Sequence, residues 1–288
     1  MKIASLFESG KTVFSFEIFP PKKDGSIDTI YSTLEALSDL SPDFISVTYG
    51  AGGSAAGCST IELAEYIKEK CHTESVAHLT CVNSTKEDID RIIKEFEQHG
   101  IENVLALRGD INPDIPPKED FKHASDLITY MKARSSLNFS GACYPECHME
   151  SANIVDDIRN LKIKVDAGAE HLISQLFFDN TKFYDFVERA RIAGINVPIE
   201  AGIMPCVNAN QIKRMVGMCG ASLPTKFVKM IQRYGDNEEA MREAGIAYAV
   251  DQIVDLVANG VDGIHLYTMN NPYIARKISE SIEKVIKT

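Results

Sequence analysis

The feature that most constrains this chain is a strand-then-helix alternation repeated from end to end. Short β-branched or aromatic runs fall at 12–18, 44–49, 75–81, 103–108, 139–144, 171–178, 197–204 and 263–267. Between them lie stretches of helical spacing at 27–40, 60–71, 87–100, 122–134, 153–167 and 181–193, and another follows the last run at 272–286. The clearest is 87–100, where Ile89, Ile92, Ile93 and Phe96 share one face and Gly100 stands ready to end the helix. Eight strands spaced roughly 30 residues apart match a (β/α)8 TIM barrel of ~250 residues. The interval 205–261 is longer than the others and holds two or three helices, so it reads as an elaborated helical connection between strands seven and eight. A doubly wound open sheet shares the same local pattern and is the alternative. No linker rich in Pro, Gly or Ser breaks the chain, so the reading is a single domain over 1–288.

Charge and composition narrow the function. Lys plus Arg is 30 against 41 for Asp plus Glu, a net charge of −11. Sequence-independent binding to nucleic acid needs a basic footprint, which argues against that class. No apolar stretch of about 18 residues exists to span a bilayer, and the first residues lack the apolar core of a secretory signal. Seven scattered cysteines without an export signal predict reduced thiols in a cytoplasmic protein. Cys143, Cys147 and His148 lie close together, but no second ligand pair stands at a recognised spacing, so no metal is expected.

A barrel carries its chemistry at the C-terminal ends of the strands. The polar residues there are Glu17, Thr48, His78, Arg108 with Asp110, Tyr144, Gln175 and Tyr267. Glu17 is the most unusual, a carboxylate inside VFSFEIFPP. An inward carboxylate at that point is partly desolvated, which favours its neutral form and suits a general acid; pairing with Lys22 or Lys23 is the bland reading. In Arg108-Gly109-Asp110 a glycine between two charges lets the backbone approach a ligand closely. Asp110 and Glu17 make a carboxylate pair with different tasks, one ionised and one protonated. The stretch Tyr49-Gly50-Ala51-Gly52-Gly53-Ser54 is a glycine turn without the full dinucleotide fingerprint. His78 could be a core histidine or donate to a bound ring. The Gln175 carboxamide can pair with a heterocycle edge. Phe177 and Phe178 read as core.

Together FSFEIFPPK, ISVTYGAGGS, AHLTC, LALRGD, ACYPECH, LKIKVDAGAEHLISQLFFD and YTMNN, in this order over almost the whole chain, resemble methylenetetrahydrofolate reductase of the bacterial single-domain type. That resemblance implies a barrel binding FAD at the strand ends. It also implies reduction of methylenetetrahydrofolate to 5-methyltetrahydrofolate, with NADH or NADPH as the electron donor, in one-carbon and methionine metabolism. By resemblance Glu17 is the general acid, and Asp110 the carboxylate between flavin and pterin. Gln175 and Gln211 contact the folate. Thr48, Tyr49, Ala51, His78, Arg108, Gly109, Asp110, Ala124, Tyr144, His148, Asp157, Asn160 and Lys164 hold the flavin. A homo-oligomer is expected.

Several positions depart from the family pattern. The run Ala55-Ala56-Gly57-Cys58-Ser59-Thr60 lacks two arginines, Ile163 and Asn271 each stand where an Arg is common, and Met215 where a Phe can stand. Each change removes a charge-assisted contact or a stack of about 1–3 kcal/mol, with Arg276 or Lys213 expected to compensate. Two alternatives follow: a catalytic subunit that takes electrons from a partner protein, and a non-redox folate- or pterin-binding barrel.

Overall fold

The computed structural model describes residues 1–21, 27–49, 54–111, 114 and 116–287, apart from the side chains of residues 27, 54–59, 213, 214 and 218. Eight strands form its centre: β1 (Val13–Ile18), β2 (Phe44–Val47), β3 (Glu74–Thr80), β4 (Asn103–Leu107), β5 (Asn138–Cys143), β6 (Ala169–Ser174), β7 (Ile199–Ile203) and β8 (Gly263–Tyr267). Each pairs in parallel with the next, and β8 pairs with β1 to close the barrel. The open-sheet alternative is thereby excluded. Around the strands lie α1 (Ile27–Ser38), α2 (Ser54–Glu69), α3 (Lys86–Gln98), α4 (Ala124–Lys132), α5 (Ile154–Ala167) and α6 (Asn180–Ile192). Three helices, α7 (Ala209–Cys219), α8 (Thr225–Tyr234) and α9 (Glu238–Ala258), fill the connection between β7 and β8, and α10 (Pro272–Ile286) follows β8.

The local causes are those of a parallel sheet covered on both faces. Every residue of β2 and of β7 is buried, as expected where helices lie outside and side chains fill the inside. Helix α3 begins at a capping box, in which Thr85 accepts from the Asp88 N–H and Asp88 accepts from the Thr85 N–H. Its face of Ile89, Ile93 and Phe96 is buried against the barrel. Its end differs by one residue from the expected position: His99 is the cap, and Gly100 turns the chain at φ 62°. The sixth strand stops at Ser174, and Phe177 and Phe178 lie beyond it in the core. Phe178 stacks on Phe227 of α8 at 4.3 Å, and Phe177 on Phe183 of α6 at 5.1 Å.

An element that periodicity did not reveal closes the bottom of the barrel. Residues Ile3–Ser9 form a 3-10 helix. Ile3 is fully buried in an apolar cluster with Val13, Phe44, Val76, Leu105 and Ile173. Asn103 fixes it twice, accepting from the Ile3 N–H at 2.9 Å and donating to the Met1 carbonyl at 2.9 Å. Phe7 stacks on the ring of His171 at 4.8 Å. Replacing Ile3 by Ala empties part of this cluster. The expected loss is about 2–4 kcal/mol of unfolding free energy, read as a lower denaturation midpoint at unchanged steepness. An unchanged midpoint would show that the plug contributes nothing to stability.

Candidate active site

Barrel closure brings the sequence candidates onto one rim. Thr48 follows β2, His78 lies near the end of β3, Arg108, Gly109 and Asp110 follow β4, and Tyr144 and His148 follow β5. Ala124 opens α4; Asp157, Asn160 and Lys164 lie on α5, Gln175 follows β6 and Gln211 lies on α7. Ala51, the glycine turn around it, Lys22 and Lys23 lie outside the described residues.

Glu17 points into the barrel mouth, and its side chain is 20% exposed. Its Oε2 is 3.7 Å from the Nε2 of His78 on β3 and 3.7 Å from the Nε2 of His265 on β8. Two imidazoles thus flank the carboxylate. Its backbone is held from the β8 loop, where the Thr268 hydroxyl donates to the Glu17 carbonyl at 2.7 Å. Two residues on, the Asn270 carboxamide accepts from the Phe19 N–H at 3.0 Å and donates to the Phe19 carbonyl at 2.8 Å.

His78 is buried, and its Nε2 has no hydrogen-bond partner among the described residues. Burial pushes the imidazole down from 6.5 to about 4, against partial opposition from the Glu17 carboxylate. It is therefore neutral at physiological pH. Tyr267, paired in register with Glu17, donates to the Ser174 carbonyl at 2.7 Å. Burial first, then the Glu17 charge, raises its phenol well above the ordinary range.

Beneath Glu17 runs a polar chain that sequence reasoning missed. The Ser15 Oγ lies 2.6 Å from His265 Nδ1 and donates to Glu200 Oε1 at 2.8 Å. Glu200 Oε2 is 2.9 Å from His171 Nε2, and His171 Nδ1 is 2.9 Å from Ser140 Oγ. All five residues are fully buried. The signal was present in PIEAGIMP, AEHLIS and GIHLY, where a charged or imidazole side chain interrupts an apolar strand.

The opposite part of the rim carries the charges and rings. The Arg108 guanidinium grips both oxygens of Glu150, one of them at 2.8 Å. That carboxylate, foremost, raises Arg108 above its usual value. Asp110 is exposed at the mouth, where its charge reaches Arg108 and Tyr144. Gly109 adopts φ 89°, and a Cβ there would stand 2.9 Å from the Thr80 Cβ. The close approach that its sequence context suggested is thus made to β3. Tyr144 meets His148 edge-on at 4.6 Å, and burial pushes its phenol up to about 12. His148 Nδ1 accepts from the Glu150 N–H at 3.1 Å, which places the ring hydrogen on Nε2. Asp157 is buried and accepts from Ser151 at 2.8 Å, while Asn160 is exposed on the next turn. Lys164 lies across Gly141 and donates to the Ala142 carbonyl at 2.6 Å; burial lowers its pKa.

Of the two glutamines, Gln175 accepts from the Leu176 N–H at 2.8 Å, leaving its amide N–H groups as the end for a ligand. Gln211 is half-buried near the start of α7, and Met215, also half-buried, packs in the cluster around Phe227. Asn271 caps α10, accepting from the Ile274 N–H at 3.2 Å. Arg276 does not compensate for a missing rim cation. It lines a groove of about 610 Å³ with Lys11, Asp39 and Asp43, at the end of the barrel where the strands begin. The Lys213 side chain lies outside the described residues. Among the described residues no group of three or more His, Cys, Asp or Glu side chains is arranged to hold a metal ion, and no helix is long and apolar enough to cross a membrane.

Comparison with known proteins agrees with this geometry. The methylenetetrahydrofolate reductase family profile matches residues 2–283. A 5,10-methylenetetrahydrofolate reductase from Escherichia coli is 35% identical over 273 residues, covering 95% of this chain and 91% of that protein. Methylenetetrahydrofolate reductase (NADH) 1 from Arabidopsis thaliana is 36% identical over 284 residues, and the chain spans about half its length, 48%. A solved structure of an uncharacterised protein from Clostridium thermocellum, described as binding two copies of 5-methyl-5,6,7,8-tetrahydrofolic acid, shares the fold at TM-score 0.68 and 16% identity, with 99% of each chain covered. The chain belongs to the methylenetetrahydrofolate reductase family.

The depressed His78 pKa has a consequence for stability. Above pH 6.5 the imidazole is neutral in both folded and unfolded chains. As pH falls from 6.5 towards 4 the unfolded chain takes up a proton that the folded site refuses, so stability is lost across that window. The share attributable to His78 is about 2 kcal/mol by pH 5. Chemical denaturation of the wild type and of His78→Gln at pH 7 and at pH 5 measures it. Equal losses in both proteins would exclude a buried neutral His78.

Proposed function

We propose that this chain reduces methylenetetrahydrofolate to 5-methyltetrahydrofolate with FAD as its cofactor and NADH or NADPH as the source of electrons, within a single barrel domain. The observation that carries the reading is Glu17. It is an inward carboxylate flanked by two imidazoles at the mouth of a barrel of this family. The name of the Arabidopsis relative favours NADH as the donor.

The rim residues fit a flavin dinucleotide. Such a group needs a cation for its phosphates, polar partners for its ribityl chain and aromatic walls. Arg108, His148, Asp157 and Lys164 with Tyr49 and Tyr144 supply these types along the ends of β2 to β5 and along α5. His78 adds a buried ring nitrogen that no group among the described residues satisfies. When bound, FAD supplies the hydride chemistry that no side chain can perform.

The side chains do the rest. Opening the five-membered ring of the substrate requires a proton on the departing nitrogen, and Glu17 is the acid placed to give it. The ring-opened substrate is an iminium cation, and Asp110 at the mouth stabilises that charge. Gln175 and Gln211 orient the pterin through hydrogen bonds that the wrong heterocycle leaves unmade. Tyr267 and the plugged barrel floor keep water from reaching Glu17 from below.

Absorbance of the purified protein under anaerobic conditions tests the proposal. Flavin bands should bleach with NADH and return on adding methylenetetrahydrofolate. Bands that ignore NADH, bleach with dithionite and return with the folate would move the electron donor to a partner protein. A protein that stays colourless after incubation with FAD would overturn the flavoenzyme reading and leave a folate-binding barrel. Glu17→Gln should keep bleaching by NADH while slowing the return with folate by about 10²–10⁴-fold; equal slowing of both steps would remove Glu17 from the acid role.

A further inference from the structure

The buried pair of Glu200 and His171 has no part in the chemistry described so far. It lies in the barrel interior below the mouth, and burying a carboxylate and an imidazole there without purpose is unfavourable. The fold nonetheless makes room for it. A Cβ on residue 263 would stand 2.6 Å from the Glu200 Cγ and 3.0 Å from its Oε1, so only glycine at that point of β8 lets the carboxylate reach Ser15.

The direction of each hydrogen bond in this chain is forced. A carboxylate offers lone pairs and no hydrogen. Glu200 Oε2 stands 2.9 Å from His171 Nε2, and its other oxygen is the acceptor that faces Ser15. Ser15 has one hydroxyl hydrogen and gives it to Glu200 Oε1 at 2.8 Å. At 2.6 Å from His265 Nδ1, the same oxygen can then only accept, which fixes the hydrogen of His265 on Nδ1. The other nitrogen, Nε2, then carries a lone pair, which lies 3.5 Å from the Ser46 hydroxyl and faces Glu17 Oε2 at 3.7 Å. A lone pair repels an ionised Glu17 and attracts a protonated one.

We propose that Glu200 is a positioning residue: through Ser15 it sets the tautomer of His265 and so holds Glu17 in its proton-bearing form for the folate step. Among the described residues, the groups facing Glu17 are His78 from β3 with His265 and Tyr267 from β8. Those facing Glu200 are Ser15 from β1, His171 from β6 and the backbone at Gly263 on β8, with the charge of Asp43 near β2 the other one close by. Among these, Ser15 is the group that joins Glu200 to the mouth.

The inference rests on the proposed reaction for its kinetic consequence but not for its tautomer. Holoenzyme labelled with ¹⁵N-histidine gives the protonated nitrogen of His265 directly, with His265→Gln for assignment. The wild type should show Nδ1–H from roughly pH 6 to pH 9. Glu200→Gln, whose carboxamide can donate as well as accept, should give a mixture of tautomers. Ser15→Ala should do the same while leaving the Glu200–His171 pair and its packing intact, which covers the case in which Glu200→Gln does not fold. In anaerobic stopped flow, both variants should slow reoxidation by methylenetetrahydrofolate about tenfold at the alkaline end and little at the acid end. Reduction by NADH should stay within about twofold of wild type. His265 remaining Nδ1–H in both variants would overturn the proposal. So would equal slowing of both half-reactions with an unaltered pH profile. If the protein fails to reduce methylenetetrahydrofolate at all, the proposed function falls and the tautomer measurement still decides the role of Glu200.

Discussion

The register between β1 and β8 is the constraint on which the rest of the molecule depends. It closes the barrel, and in closing it sets Ser15 beside His265 and Glu17 beside Tyr267. Strand side chains alternate faces, so Ser15 and Glu17 share the inward face with two residues of β8 that do the same. A slip by one residue would turn Glu17 out among the helices and bring Phe16 into the mouth. The same pairing puts the β8 loop over the end of β1, where Thr268 and Asn270 hold the backbone of Glu17 and Phe19. The acid is thus positioned by strand pairing first and by its own contacts second.

The interior is layered by polarity. Towards the lower end, Ile3, Val13, Phe44, Val76 and Leu105 form part of a dry apolar cluster. Above it come Ser15, Ser140, His171, Glu200 and His265, all sealed from solvent. Glu17 comes next, between this sealed polar layer and the mouth. A purely apolar interior would be more stable, since replacing buried charge pairs by packed hydrocarbon is often stabilising. Keeping a polar layer directly under Glu17 places it against groups that water cannot reach.

The strand count was legible because parallel strands covered on both faces read as continuous apolar runs, and the long 205–261 interval could hold nothing but added helices. Glu17 was legible for the same reason, as a charge in such a run. Glu200, His171 and His265 carry that signature too, but no single strand tells which interior residues meet. That depends on the stagger between strands, and β5 and β6 even shift register between Phe139 and Ser140. The 3-10 helix has too few residues for a period to register. Asn271 reads as a lost arginine in the linear pattern and turns out to be a helix cap. Arg276 lies within reach of the rim by residue count, yet the direction of its side chain from α10 sends it to the other end of the barrel.

Two kinds of electrostatics therefore meet at the rim, and they differ in how readily they exchange. Arg108 is bound to Glu150, whose side chain is 56% exposed. An exposed pair of this kind contributes roughly 0–1 kcal/mol, so on the proposed reading a phosphate arriving at Arg108 would replace one anion by another at little expense. That is how a chain of net charge −11 can take an anionic ligand. The Glu200–His171 pair has no exposure and no water to exchange with. The rim can rearrange around whatever binds, while the layer beneath Glu17 keeps its hydrogen-bond directions throughout. A general acid needs that division, since the ligands at its mouth must come and go while the groups that set its proton must not.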